Sequence, residues 1–280
     1  MPIHHLNCGD LHPLSRLLSE GRGSPFRRAH LVCHCLLIDT GDGVILVDTG
    51  LGEAQTQDPR STLGLDVAFL LKPSTATEFT AVSQVQAHGF DIGDVRDIFM
   101  THLDVDHRGG LTDFPNATVH VNRTELVTAQ RPRTLMDARR YRGEWFKDVR
   151  WAAHDTGAEL WQGFSVLYER DTPAGRIIMV DLPGHSPGHS GVVIEHGGTK
   201  TTPVHSLFHV GDAIQHRAEL RADSLTPWGI RGFNTLMQAS RRHRLRTLQQ
   251  LQDLDRTAWA AVDIICSHDP AMLDKHLGES

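Results

Sequence analysis

Thr101-His102-Leu103-Asp104-Val105-Asp106-His107-Arg108-Gly109-Gly110 is the densest polar cluster of the chain, and it follows a short apolar run, residues 95–100, that reads as a buried strand. Two imidazoles and two carboxylates within six residues would be costly to bury unpaired, so this loop is either solvated or built around a cation. Every candidate donor is nitrogen or oxygen, the donor type that divalent cations take. The paired glycines behind the cluster allow another segment to approach closely from the rear.

Three more polar clusters also follow apolar runs: Pro183-Gly184-His185-Ser186-Pro187-Gly188-His189, Val210-Gly211-Asp212 and Cys266-Ser267-His268-Asp269. Each alone reads as an ordinary turn. Taken together and in this order, they deliver imidazoles and carboxylates from several strand ends, which is what a divalent-cation site requires.

Working outward, residues 31–39 and 44–48 are apolar, β-branched runs joined by Thr40-Gly41-Asp42-Gly43 and read as a hairpin; the second run stops at Asp48-Thr49-Gly50. Residues 76–88 carry Phe79, Val82 and Val85 at helical spacing, with Gly89 as a stop. Strands are expected at 118–122, 164–168, 176–180, 191–195, 206–210 and 263–266, and helices at 124–153, 234–253 and 256–262. Strand runs followed twice by helices indicate mixed α/β layers with polar clusters where strands end.

The balance of 39% hydrophobic and 22% charged residues in 280 is that of a globular protein, and with no linker in view a single domain over 1–280 is expected. No apolar run approaches the ~18 residues of a membrane span, which rules out an integral membrane role. A net charge of −6 argues against a general nucleic-acid binder. Met1 to Asp10 lacks the apolar stretch of a signal peptide, so a cytoplasmic protein is expected. Four cysteines are too few for a disulfide scaffold and read as reduced, buried thiols. Nineteen histidines against two tyrosines is unusual, but His4, His5, His216 and His243 stand in polar stretches and read as solvated rings, so spacing rather than number must locate a site.

His102-Leu103-Asp104-Val105-Asp106-His107 resembles the His-x-His-x-Asp-His motif of the metallo-β-lactamase superfamily, with Asp104 at the second histidine. Leu46-Val47-Asp48-Thr49-Gly50, the 183–189 segment, Gly211-Asp212 and Ser267-His268 are similar to its other motifs, so the resemblance spans about 31–270. It implies a four-layer αβ/βα sandwich and two divalent metal ions, zinc first, with manganese or iron admitted by the harder carboxylate at 104. Metal 1 would take His102, Asp104 and His185, metal 2 would take Asp106, His107 and His268, and Asp212 would bridge them. Asp48 and His189 would act behind the ligands.

Closest in pattern are lactonase-like and glyoxalase II-like hydrolases, which implies cleavage of an ester, lactone or thioester by a metal-bridging hydroxide, with Asp106 or a metal-bound water passing the proton to the leaving oxygen. Such a site takes a small-molecule substrate. The tyrosine that many lactonase-like relatives place after the bridging aspartate is replaced here by Ala213-Ile214-Gln215-His216, leaving Gln215 or His216 to hold the substrate carbonyl. Two divalent ions and a bridging hydroxide, set against Asp106 and Asp212, leave a net charge of roughly +1, and Asp104 takes it to about zero, which should lower Lewis acidity and make metal 1 the more labile. The same departure supports two other readings, an iron-dependent oxidoreductase of this fold and a non-catalytic metal-binding protein. The oligomeric state is not fixed by sequence, a homodimer being one option.

Residues 131–151 carry Arg131, Arg133, Arg139, Arg140, Arg142, Lys147 and Arg150 among Trp145, Phe146 and Trp151. They read as amphipathic surface helices with solvated charges, the alternative being a lid near 124–153 that selects an anionic or aromatic substrate. No Gly-rich phosphate loop or Gly-x-Ser-x-Gly elbow is present, so nucleotide binding and serine hydrolysis lack support.

Overall fold

The computed structural model describes residues 2–21, 23–141, 148–173, 175–197, 204–221 and 224–278. Strands β1 (Ile3–Leu11), β2 (Leu31–Asp39), β3 (Val44–Val47), β4 (Val95–Phe99), β5 (Thr118–Asn122) and β6 (Arg150–His154) form one sheet in sequence order. Its first three strands are antiparallel and the rest are added in parallel. The second sheet runs β12-β11-β10-β9-β8-β7, from strands β7 (Leu160–Trp161), β8 (Phe164–Thr172), β9 (Gly175–Asp181), β10 (Ser190–Gly197), β11 (Val204–His209) and β12 (Val262–Ile265).

The two-residue period of the strands builds three apolar layers. Leu36, Ile38, Ile45 and Val47 meet Ile177, Met179, Val192 and Ile194 between the sheets. The alternate residues, Cys35, Leu37, Val44 and Leu46, pack outward against Val82 and Val85 of the helix Ala81–Ala87. On the far side, Ile178, Val180 and Val193 pack against Leu251 and Leu254 of the helix Arg241–Ala258. Both faces of each sheet are therefore covered, which explains the continuous apolar runs. This is the expected four-layer αβ/βα sandwich. No helix among the described residues is long and apolar enough to cross a membrane. All four cysteines are buried free thiols.

Several elements differ from expectation. The helical reading of 124–153 divides into helices Arg123–Gln130 and Leu135–Arg140, and its end is β6; Arg142, Trp145, Phe146 and Lys147 lie outside the described residues. The run at 234–253 belongs to two helices, Trp228–Met237 and Arg241–Ala258, because the Ser240 hydroxyl accepts the His243 amide and starts a new helix there. No separate helix stands at 256–262: the long helix ends at Ala258 and Val262 opens β12. Strand β1 was not expected. His5 is not a solvated ring, since it stacks on His276 at 4.0 Å and its Nδ1 lies 2.8 Å from His34 Nε2.

Candidate metal centre

The polar clusters meet because their strands end at one edge. Strands β3 and β4 are parallel, so the loops carrying Asp48 and His102–His107 emerge side by side. Parallel β11 and β12 do the same for Asp212 and His268, and the β9–β10 connection brings His185 and His189. The loop after β3 is fastened to the histidine cluster by the Thr49 amide and hydroxyl, which donate to the His107 carbonyl at 2.8 and 2.9 Å. A side chain on Gly52 would put its Cβ 2.4 Å from the Gly109 carbonyl oxygen, which is why glycine stands at this crossing.

Two three-donor groups face each other across Asp212. In one, Asp104 Oδ2 lies 3.4 Å from His102 Nε2 and 3.1 Å from His185 Nε2. In the other, Asp106 Oδ2 lies 3.5 Å from His268 Nε2, with His107 completing the group. The Asp212 carboxylate divides between them. Its Oδ2 is 4.0 Å from His102 Nε2 and 3.6 Å from His185 Nε2, and its Oδ1 is 3.3 Å from both His107 Nε2 and His268 Nε2.

The imidazoles are held with Nε2 turned inward. His107 Nδ1 donates to Asp48 Oδ2 at 2.8 Å, and His268 Nδ1 donates to the Val32 carbonyl at 2.7 Å. Thr101 gives its hydroxyl proton to Asp48 at 2.7 Å, so at 3.0 Å it can only accept from His102 Nδ1. Asp48 itself adopts a left-handed φ of 56°, a strained backbone kept because its carboxylate is committed to Thr101 and His107. His102 Nε2, His107 Nε2 and Asp212 Oδ1 are buried and find no hydrogen-bond partner among the described residues. Buried orphan donor atoms converging on common centres fit divalent cations, and the two groups fit two.

Residues 29–258 match the model of the metallo-beta-lactamase superfamily. The chain belongs to that superfamily. A probable metallo-hydrolase of Mycobacterium tuberculosis is 32% identical over 269 residues, covering 96% of this chain and 80% of its own. An N-acyl homoserine lactonase of Bacillus thuringiensis is 28% identical over 177 residues, 61% of this chain and 62% of its own. Among solved structures, an N-acyl homoserine lactone hydrolase with its product at the catalytic metal centre superposes with a TM-score of 0.67 at 21% identity, covering 98% of this chain and 95% of that one. A dizinc quorum-quenching lactonase gives 0.58 at 18%, covering 96% and 87%. At those two identities the likeness speaks for the fold.

Against the superfamily pattern, His185, Asp212 and His268 stand within reach of the 102–107 loop, while His189 stands apart from both donor groups. Its Nε2 accepts the Asp212 amide at 3.0 Å and fixes the backbone from which the carboxylate projects. Gln215 is buried and lines a cavity of roughly 230 Å³ beside His268, and its Nε2 has no hydrogen-bond partner among the described residues. The His216 ring also lines that cavity, but its Nδ1 accepts the Ala218 amide.

Two residues that organise the site escaped the sequence reading. Glu125 is buried at the heart of the loops: Oε1 accepts the Leu103 amide at 3.1 Å and the Tyr141 hydroxyl at 2.8 Å, and Oε2 accepts the Ser186 hydroxyl at 2.7 Å and the Gly188 amide at 3.1 Å. It thus joins the loops that carry His102 and His185. The second is Arg140, expected as a solvated surface charge and found buried, its Nε 3.1 Å from Asp104 Oδ1. The one signal available beforehand was that both lie between the first two polar clusters in the chain.

The carboxylates of the site act strongly on the imidazoles beside them. Burial alone would lower the His268 imidazolium, but the Asp212 carboxylate overrides it and holds the group up to about 9. Burial likewise opposes the His107 cation, and Asp212 and Asp48 raise it well above the ordinary value. A group raised in the folded state stabilises fully below its unfolded pKa, here 6.5, and that stabilisation is lost as pH climbs through the folded value. The thermal midpoint of chelator-treated protein should therefore fall between pH 6.5 and about 9, and added zinc should reverse the fall, since cations require the unprotonated rings. A midpoint that stays level or rises across that window without metal contradicts this.

Proposed function

We propose that the chain is a metal-dependent hydrolase of a small ester, lactone or thioester. His102, Asp104 and His185 would hold one divalent cation, Asp106, His107 and His268 would hold the second, and Asp212 would stand between them. The observation that carries the reading is the division of Asp212, one oxygen toward each donor group. Bound there, the pair would lower the pKa of a shared water to near neutrality and polarise a carbonyl. The chain's own residues supply the rest. Asp48, Thr101 and the Val32 carbonyl keep His107, His102 and His268 in the tautomer that offers Nε2. Asp106, whose side chain is partly open to solvent, is placed to carry the proton to the leaving oxygen.

The cavity beside His268 receives the substrate, and Gln215 Nε2, with no other acceptor among the described residues, donates a hydrogen bond to its carbonyl oxygen. A volume of roughly 230 Å³ suits a small acyl compound. Lactonase relatives support the lactone as first choice. Zinc is the first choice of metal, with manganese or iron as alternatives because Asp104 is a hard donor. A panel of chromogenic esters, thioesters and lactones, assayed with zinc, manganese or iron added back, should show metal-dependent hydrolysis in the wild type. His107→Ala should lose at least ~100-fold of kcat/KM. Unchanged activity in that variant overturns the reading.

A further inference from the structure

Asp104 Oδ2 faces His102 and His185, but its other oxygen, Oδ1, faces Arg140 Nε at 3.1 Å. The Arg140 side chain is only 3% exposed and is tied at its far end, with Nη1 donating to the His185 carbonyl at 2.7 Å and Nη2 to the Met237 carbonyl at 2.6 Å. A guanidinium hydrogen-bonded to two main-chain oxygens has its fork fixed in place, with the ion pair to Asp104 set at its Nε. It cannot swing away when the site fills. It also contacts the residue on either side of the first cation position, the Asp104 side chain and the His185 backbone.

Resting on the two-cation reading above, we infer that Arg140 is a positioning residue for the first cation: it cancels the charge of Asp104, so that the pair acts as one neutral donor. Set against two divalent cations, the carboxylates of Asp104, Asp106 and Asp212 leave a net charge of about +1, and Arg140 returns it to about +2, the value a neutral donor at position 104 would give. The loss of Lewis acidity expected from the extra carboxylate is thereby removed. The arrangement has a converse. A neutral donor at 104 with Arg140 retained would leave a buried guanidinium beside the first cation without the carboxylate that faces its Nε, and that guanidinium would repel the cation.

A double-substitution cycle reads this coupling in metal content and in the melting of metal-free protein, neither of which depends on activity. Asp104→His should fall from two zinc ions per chain to about one after desalting, and should melt at lower temperature without metal. Asp104→His combined with Arg140→Met should regain both ions and most of the midpoint, because the charge and its counter-charge leave together. Retention of two ions in Asp104→His, or a double variant no better than the single, overturns the inference. If Asp104→His gives no folded protein, recovery of folded protein in the double variant reads the same coupling, and failure to recover it overturns it. Wild-type protein that binds no zinc defeats the two-cation reading instead, while the metal-free melting of the cycle still tests the pairing.

Discussion

Replacing Asp212 with alanine is expected to empty both cation positions. Among the described residues this carboxylate is the group that faces both donor sets, and without it His107 Nε2 and His268 Nε2 lose the oxygen that lies 3.3 Å from each, which leaves Asp106 as the carboxylate of their group. The variant should retain fewer than one divalent ion per chain after desalting, and kcat/KM on the best ester or lactone should fall by at least ~1000-fold, more than the ten- to hundredfold typical of groups that only orient a ligand. Metal analysis and steady-state kinetics on the same preparation check both. Two retained ions with activity within tenfold of wild type would mean that Asp212 bridges nothing.

The second large effect falls on stability. Glu125→Ala strands the amides of Leu103 and Gly188 and the hydroxyls of Tyr141 and Ser186, all of which end on this one carboxylate. An unsatisfied buried donor costs about 1–3 kcal/mol, and partial rehydration of the vacated space offsets some of it, so a loss of about 4 kcal/mol is expected. For a chain of this size that is a drop of roughly 10 °C in the thermal midpoint. Glu125→Gln should recover only part of it, because its amide NH2 group would face donors at one end. A change below about 2 °C in Glu125→Ala would show that the loops are held by other contacts.

What could be read from the sequence and what could not follow one physical division. The donors stand in short loops directly behind apolar strands, and residue type and placement are both local, so His102 to His107, His185, Asp212 and His268 could be singled out before any fold was known. The inner and outer faces of β2, β3, β9 and β10 are likewise a matter of alternation within a few residues. Strand β1 was hidden because His4, His5 and Asn7 interrupt its apolar residues and its pairing slips between Asn7 and Asp10. The helix split at Ser240 depends on a cap weighed against a continuous Leu and Arg pattern.

Arg140 and Glu125 were invisible for a different reason. Nothing local separates a buried arginine from the exposed Arg139 beside it; only the position of Asp104 and the His185 carbonyl across the fold makes the difference. The charge at the site divides in the same way: the carboxylate at 104 is visible in the motif, whereas the guanidinium that faces it comes from a separate helix.

The central claim is that side chains from four loops hold two cations on either side of Asp212. Anomalous diffraction from crystals of the metal-loaded protein tests it most directly. The account predicts two peaks roughly 3.5–4 Å apart, one among His102, Asp104 and His185 and the other among Asp106, His107 and His268, with one Asp212 oxygen on each. A single peak away from Asp212, or these side chains turned from one another with no bound metal, would contradict it.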